Sequence, residues 1–276
     1  MTDRYAAFRA LHRTGRPLLL PNAWDHASAA ALAAAGYPAL GTTSLGVAAA
    51  SGKPDAVAAT AEENLRLAAL LVRLPVLVTV DVEAGFSDDP TEVAGYVAEL
   101  ADLGVVGINL EDGRPDGTLA DPALTAAKIE AVKARTPELF VNARTDTWWL
   151  GMPEALERAV PRLRSYRRAG ADGVFVPGLA DPATIRTLVA AVDVPLNVLH
   201  QPGGPGLAAL GHLGVARVST GSLLFRAALA AVVRTAQAVR EGGEPDPGLP
   251  SYAQVQRLTT CRLRPDQGGT EELGSP

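Results

Sequence analysis

The chain has 276 residues, 47% of them hydrophobic, and 30 acidic against 25 basic side chains give a formal net charge of −5. That balance offers no basic stripe for nucleic acid, and no uninterrupted apolar run is long enough to span a bilayer. Cys261 is the single cysteine, which excludes an internal disulfide framework and a cysteine-built zinc site. With an N-terminal stretch lacking the apolar core of a signal peptide, the expectation is a soluble, cytoplasmic protein.

Along the chain, short apolar runs alternate with helical stretches. The runs are Pro17 to Asn22, Pro38 to Ser44, Pro75 to Asp81, Val105 to Asp112, Leu139 to Arg144, Gly173 to Pro177, Val194 to Leu199 and Ala216 to Thr220. They are near-continuous in Val, Leu and Ile rather than alternating, as parallel strands buried on both faces require. Strands alternating with helices argue for βαβ units, and eight such units close a (β/α)8 TIM barrel at about this length. Asp25, Asp89-Pro90, Asp121-Pro122 and Asp181-Pro182 supply helix starts, a capping side chain followed in three cases by proline at the first helical position. Gly36, Gly104, Gly170 and Gly214 stand where helices end and strands follow. The Gly- and Pro-rich stretch 241–248 breaks the pattern, so the barrel is placed at 1–240 and a C-terminal helical extension at 241–276. Within the extension, Ser251 to Leu263 reads as a helix and 264–276 as a polar tail.

In such a barrel the strand C-terminal ends form the active face. Those positions hold Asn22, Thr43, Ser44, Asp81, Glu83, Glu111, Asp112, Arg144, Asp146, Asn197 and His200, whereas the opposite ends carry mostly Pro, Gly and aliphatic residues. Asp81, Glu83 and Glu111 end two neighbouring strands, and three carboxylates in one mouth need a compensating cation or protons. Oxygen ligands without a Cys or His cluster suit Mg²⁺ or Mn²⁺ better than zinc. Arg144 could clamp a carboxylate or phosphonate and stabilise a developing enolate, or pair with Glu111 or Asp146 at the rim. Asn197 joins the substrate-binding candidates by its place on this face. Trp148-Trp149 are read as helix packing in preference to a pocket roof.

Asp81-Val82-Glu83-Ala84-Gly85-Phe86, Gly107-Ile108-Asn109-Leu110-Glu111-Asp112 and Asn142-Ala143-Arg144-Thr145-Asp146 together resemble the isocitrate lyase/phosphoenolpyruvate mutase superfamily. The resemblance covers about Pro17 to Arg226. It implies a barrel assembled as a homo-oligomer, a tetramer or dimer, with exchanged C-terminal helices. It implies Asp81, Glu83 and Glu111 at Mg²⁺ and Arg144 on the substrate. Thr43, Ser44 and Leu45 fall where family members grip an oxyacid, and Asp55 matches an acidic residue near the metal, placed here with the substrate-binding set. The implied reaction is Mg²⁺-dependent C–C cleavage of a small 2-oxo or 2-hydroxy carboxylate through a metal-stabilised enolate. P–C chemistry of the mutase or phosphonopyruvate hydrolase kind is the alternative, and a non-catalytic metal- and oxyacid-binding barrel is the third.

The chain departs from the lyases in two segments, one of them the end of the sixth strand, where Val176-Pro177-Gly178 lacks a family glutamate. Their cysteine-bearing Lys-Lys/Arg-Cys-Gly-His loop is replaced by Gly113-Arg114-Pro115-Asp116-Gly117-Thr118-Leu119-Ala120-Asp121, so this is a branch without the catalytic cysteine. Proton transfer then falls to His200 as the candidate catalytic acid or base, with His26 and Asp116 as the other options.

Overall fold

The computed structural model describes residues 3–259. In chain order the strands are β1 (Leu18–Leu20), β2 (Asn22–Ala23), β3 (Ala39–Thr42), β4 (Leu77–Asp81), β5 (Gly107–Glu111), β6 (Phe140–Arg144), β7 (Gly173–Val176), β8 (Leu196–Leu199) and β9 (Arg217–Ser219). The helices are α1 (Arg4–Ala10), α2 (His26–Ala34), α3 (Ser44–Ala50), α4 (Ala61–Leu71), α5 (Pro90–Leu103), α6 (Pro122–Arg135), α7 (Ala155–Arg168), α8 (Pro182–Ala191), α9 (Leu207–His212), α10 (Leu223–Arg240) and α11 (Tyr252–Thr259).

Every strand pairs in parallel, in the order β1-β9-β8-β7-β6-β5-β4-β3-β2. The two ends of that order are one run of chain split at Pro21, which has no backbone N–H to give. β1 pairs with β9 and β2 with β3, so the run closes an eight-fold (β/α)8 barrel. Asn22 seals the seam: its Oδ1 accepts from the Thr220 and Gly221 amides at 3.0 and 2.9 Å, and its Nδ2 donates to Thr42 O at 2.7 Å.

The capping expectations are met in the geometry. Asp89, Asp121 and Asp181 accept from the Thr91, Ala123 and Thr184 amides, each at 2.8 Å, with proline in the first helical turn. Asp25 forms a capping box with Ser28. Gly104 and Gly170 take φ of +102° and +105° after α5 and α7, conformations that cost any residue with a Cβ.

The main core lies between strands and helices, with Val78, Val80, Ile108, Leu110, Val141, Val174 and Val198 all essentially inaccessible. A smaller cluster of Phe8, Leu18, Leu20, Ala39, Val106 and Phe140 plugs the N-terminal end of the barrel from α1. That end is packed chiefly by apolar side chains, with His12 stacked on Phe140. Beyond α10 the chain runs without regular structure to α11, which lies against α2 of the same chain. The helix expected over Ser251 to Leu263 is thus described over Tyr252–Thr259, while Cys261 and the expected tail lie outside the described residues. No helix among the described residues is long and apolar enough to cross a membrane.

Candidate active site at the C-terminal mouth of the barrel

A cavity of about 730 Å³ opens at the strand C-terminal ends. Thr43, Ser44, Leu45, Asp55, Asp81, Glu111, Arg144 and His200 all line it. Arg144 is the hub. Its Nη1 meets Glu111 Oε2 at 2.7 Å, and its Nε and Nη2 grip Asp146 at 2.6 and 3.1 Å. Its guanidinium also lies 5.6 Å from the Phe175 ring centroid and 5.9 Å from that of Trp149. Both rim ion pairs therefore coexist with a place on the cavity, and its carboxylate partners keep the guanidinium cationic.

The acids are held at different depths. Asp81 is buried at the end of β4, and its Oδ1 has no hydrogen-bond partner. Burial pushes its carboxyl up to about 6; Arg144 opposes that rise, and the charges of Asp55 and Glu83 add to it. Asp55 Oδ1 is likewise buried without a partner. Burial also raises Glu111, again against Arg144. Two unfilled carboxylate oxygens on one cavity are the chemistry a hard cation compensates, so these residues fit Mg²⁺ or Mn²⁺. Among the described residues no three His, Cys, Asp or Glu side chains converge to wrap a metal by themselves. The fit is therefore to a cation that keeps water in its shell, as Mg²⁺ does.

Two expected site residues sit elsewhere. Glu83, placed among metal ligands from sequence, does not line the cavity. Its carboxylate accepts from the Ala58 amide at 3.0 Å and from Thr60 Oγ1 at 2.8 Å, which anchors the loop that carries Asp55. That anchoring holds Ala56, Ala58 and Glu83 itself at φ between +51° and +58°, strained for residues with a Cβ. Asn197, expected on the substrate, is fully buried in the barrel wall, exchanging hydrogen bonds with Ser219 Oγ at 3.0 and 3.1 Å. The inward face of β8 at that level is thus closed by its neighbour β9. Of the other acid–base candidates, Asp116 is occupied by Thr118, whose hydrogen bonds hold its carboxyl below the usual range, so it makes a poor acid. His26 begins α2 and is not part of the cavity.

Other residues were missed. Trp148 and Trp149 follow β6 in a turn rather than a helix, and both line the cavity; Trp148 also packs against the core, whereas Trp149 is exposed at the rim. Asn109, Phe175 and Arg226 also line it. Asn109 and Phe175 lie inside apolar strand sequences, and Arg226 begins an amphipathic helix; nothing local distinguishes them. Asp112 is fully buried, where it accepts from the Asp146 amide, Thr145 Oγ1, Arg162 Nη1 and Tyr166 OH at 2.9, 2.8, 3.0 and 2.7 Å. It secures the segment that presents Arg144 and Asp146. The short loop after β5 is bridged at its base, Gly113 to Leu119.

Fold and site together define a (β/α)8-barrel enzyme of the lyase and mutase type, with an acidic floor beside a clamped arginine. The model of the phosphoenolpyruvate phosphomutase family matches residues 8–240, and the chain belongs to that family, within the isocitrate lyase/phosphoenolpyruvate mutase superfamily. An uncharacterised protein of Mycobacterium tuberculosis is 47% identical over 250 residues, 91% of this chain and 95% of that one. The 2-methylisocitrate lyase of Halalkalibacterium halodurans is 30% identical over 257 residues, 88% of this chain and 84% of that one. Among solved structures, a lyase/mutase-type protein of Burkholderia cenocepacia J2315 is 34% identical with a TM-score of 0.84, covering 93% of this chain and 95% of that one. A phosphonopyruvate hydrolase in complex with oxalate and Mg²⁺ is 25% identical with a TM-score of 0.82, over 93% and 95% of the two chains.

Proposed function

We propose that the protein is a Mg²⁺-dependent carbon–carbon lyase acting on a small 2-oxo or 2-hydroxy carboxylate that carries a second anionic group. The observation that carries this is the buried, unpartnered oxygen of Asp81 on the same cavity as Arg144. Asp81 and Asp55 would hold the cation, with Glu111 in support through water. Held there, Mg²⁺ would supply positive charge to the substrate oxygens on which negative charge develops. Arg144, fixed from two sides by Glu111 and Asp146, presents its remaining N–H groups to the same oxygens without reorganising. Trp149 and Phe175 flank the guanidinium, whose own burial strengthens each of these contacts.

The same cavity is lined by Arg226, without an ion-pair partner among the described residues, and by His200. Arg226 suits the second anionic group. His200 takes the acid–base role that the missing cysteine would have filled, moving a proton to or from the carbon released by cleavage. Support for C–C over P–C chemistry comes from the lyases among the relatives, and a cavity of about 730 Å³ exceeds the needs of a three-carbon acid.

Turnover of 2-methylisocitrate, 2,3-dimethylmalate, oxaloacetate and phosphonopyruvate, each with Mg²⁺ and with EDTA, tests the proposal. Release of a 2-oxo acid or oxalate from a C–C substrate, lost with EDTA and reduced at least 10²-fold in Asp81→Ala, is the expected result. Turnover of phosphonopyruvate alone would replace it with P–C chemistry. Mg²⁺ binding without turnover would leave a binding barrel.

A further inference from the structure

Arg217, at the start of β9, is fully buried inside the barrel. Its Nη2 donates to Asn109 Oδ1 at 3.1 Å, while Nε and Nη1 have no hydrogen-bond partner and no ion pair is formed among the described residues. A guanidinium in the interior without a counter-ion is costly, and a well-packed apolar residue of similar volume would be cheaper. Burial draws Arg217 down to about 9, and Asp81, in the site above, is the charge that pulls it back. Towards the N-terminal plug, His12 feels the same guanidinium. The positive charge thus lies beneath the acidic floor.

Asn109 links it to the cavity. Its Oδ1 accepts from both Arg217 and Asn142 Nδ2, the latter at 2.9 Å, and the residue lines the cavity. A flipped amide would set N–H against two N–H donors, so the NH₂ group is the part left to face a ligand.

We propose that Arg217 is a positioning residue of the site: it holds Asn109 as a donor toward the oxyacid and, as a buried cation, keeps the acidic floor from binding a divalent ion tightly before the oxyacid arrives. This rests on the metal and oxyacid reading above. Calorimetric titration with Mg²⁺ alone, and with oxalate in the presence of Mg²⁺, on wild type, Arg217→Met and Arg217→Lys separates the two roles.

Loss of the charge in Arg217→Met is expected to tighten Mg²⁺ binding severalfold, because a buried positive charge near the acidic floor is removed. It should weaken oxalate by a similar factor and leave the melting temperature unchanged or raised. Arg217→Lys keeps the charge and loses the bond to Asn109, so Mg²⁺ affinity should stay within about twofold while oxalate weakens. Wild-type Mg²⁺ and oxalate affinities in Arg217→Met would overturn the proposal and leave the metal site standing. If Arg217→Met fails to fold, wild-type oxalate affinity in Arg217→Lys overturns it instead. No Mg²⁺ binding by the wild type would remove the metal reading and this inference with it.

Discussion

Asp81 shows what one residue contributes when its environment opposes its charge. Its carboxyl titrates near 3.8 in an unfolded chain and near 6 in the folded one, chiefly because burial disfavours the anion. The folded state therefore binds the proton more tightly, so this group stabilises the metal-free protein below about pH 4 and loses that contribution as pH rises to 6 and beyond. Asp81→Asn mimics the protonated acid. In EDTA its melting temperature should equal that of wild type near pH 4 and exceed it at pH 7, by the equivalent of about 1–3 kcal/mol. Mg²⁺ should stabilise wild type and not the variant. A difference between the two proteins that does not change with pH would show that burial does not strain this carboxylate.

At the scale of elements, β5, β6 and α7 meet at Asp112. One fully buried carboxylate accepts from the Asp146 backbone and from side chains of Thr145, Arg162 and Tyr166, and Arg162 Nη1 also donates to Ala120 O at 2.8 Å. The loop after β5 begins at Gly113, and a Cβ there would collide with Asp146 Oδ2. The short loop, the arginine and α7 are therefore one unit. Asp112→Ala leaves the largely buried Arg162 without its counter-charge and frees the Asp146 amide. The expected cost is about 2–4 kcal/mol, visible as a lower urea midpoint at unchanged slope. Turnover should fall as well, through lost orientation of Arg144. A variant of wild-type stability would show that the network holds nothing together.

For the whole molecule, α10 presents a candidate assembly surface. Leu229, Val232, Val233 and Val239 recur at helical spacing and are each at least half exposed. A stripe of this kind on an active-site helix is wasteful for a lone monomer, and we propose that it seats a second copy of the chain. Sedimentation should show a dimer or tetramer for wild type and a shift toward monomer in Val232→Glu/Val233→Glu. A wild type that sediments as a monomer at micromolar concentration rules this surface out as a self-association site.

The barrel was legible in the residues because parallel strands buried on both faces must be near-continuously apolar, and because helix ends need Asp caps and left-handed glycines; these are local demands. The polar asymmetry of the strand ends likewise marked Asp81, Glu111 and Arg144, since charge inside an apolar run has no other outlet. What lay beyond the sequence was how neighbouring strands share that charge. Glu83 is two residues from Asp81, yet tertiary packing turns it onto the Asp55 loop; Asn197 is consumed by Ser219 across a register no motif encodes. Arg217 reads as an ordinary strand residue, and only closure of the barrel buries it under Asn109 and Asp81. Sequence marked the charged strand ends of the mouth, whereas Asn109, Phe175 and Arg226 reach it, and each group finds its partners, only through distances of a few ångströms between segments far apart in the chain, which folding alone decides.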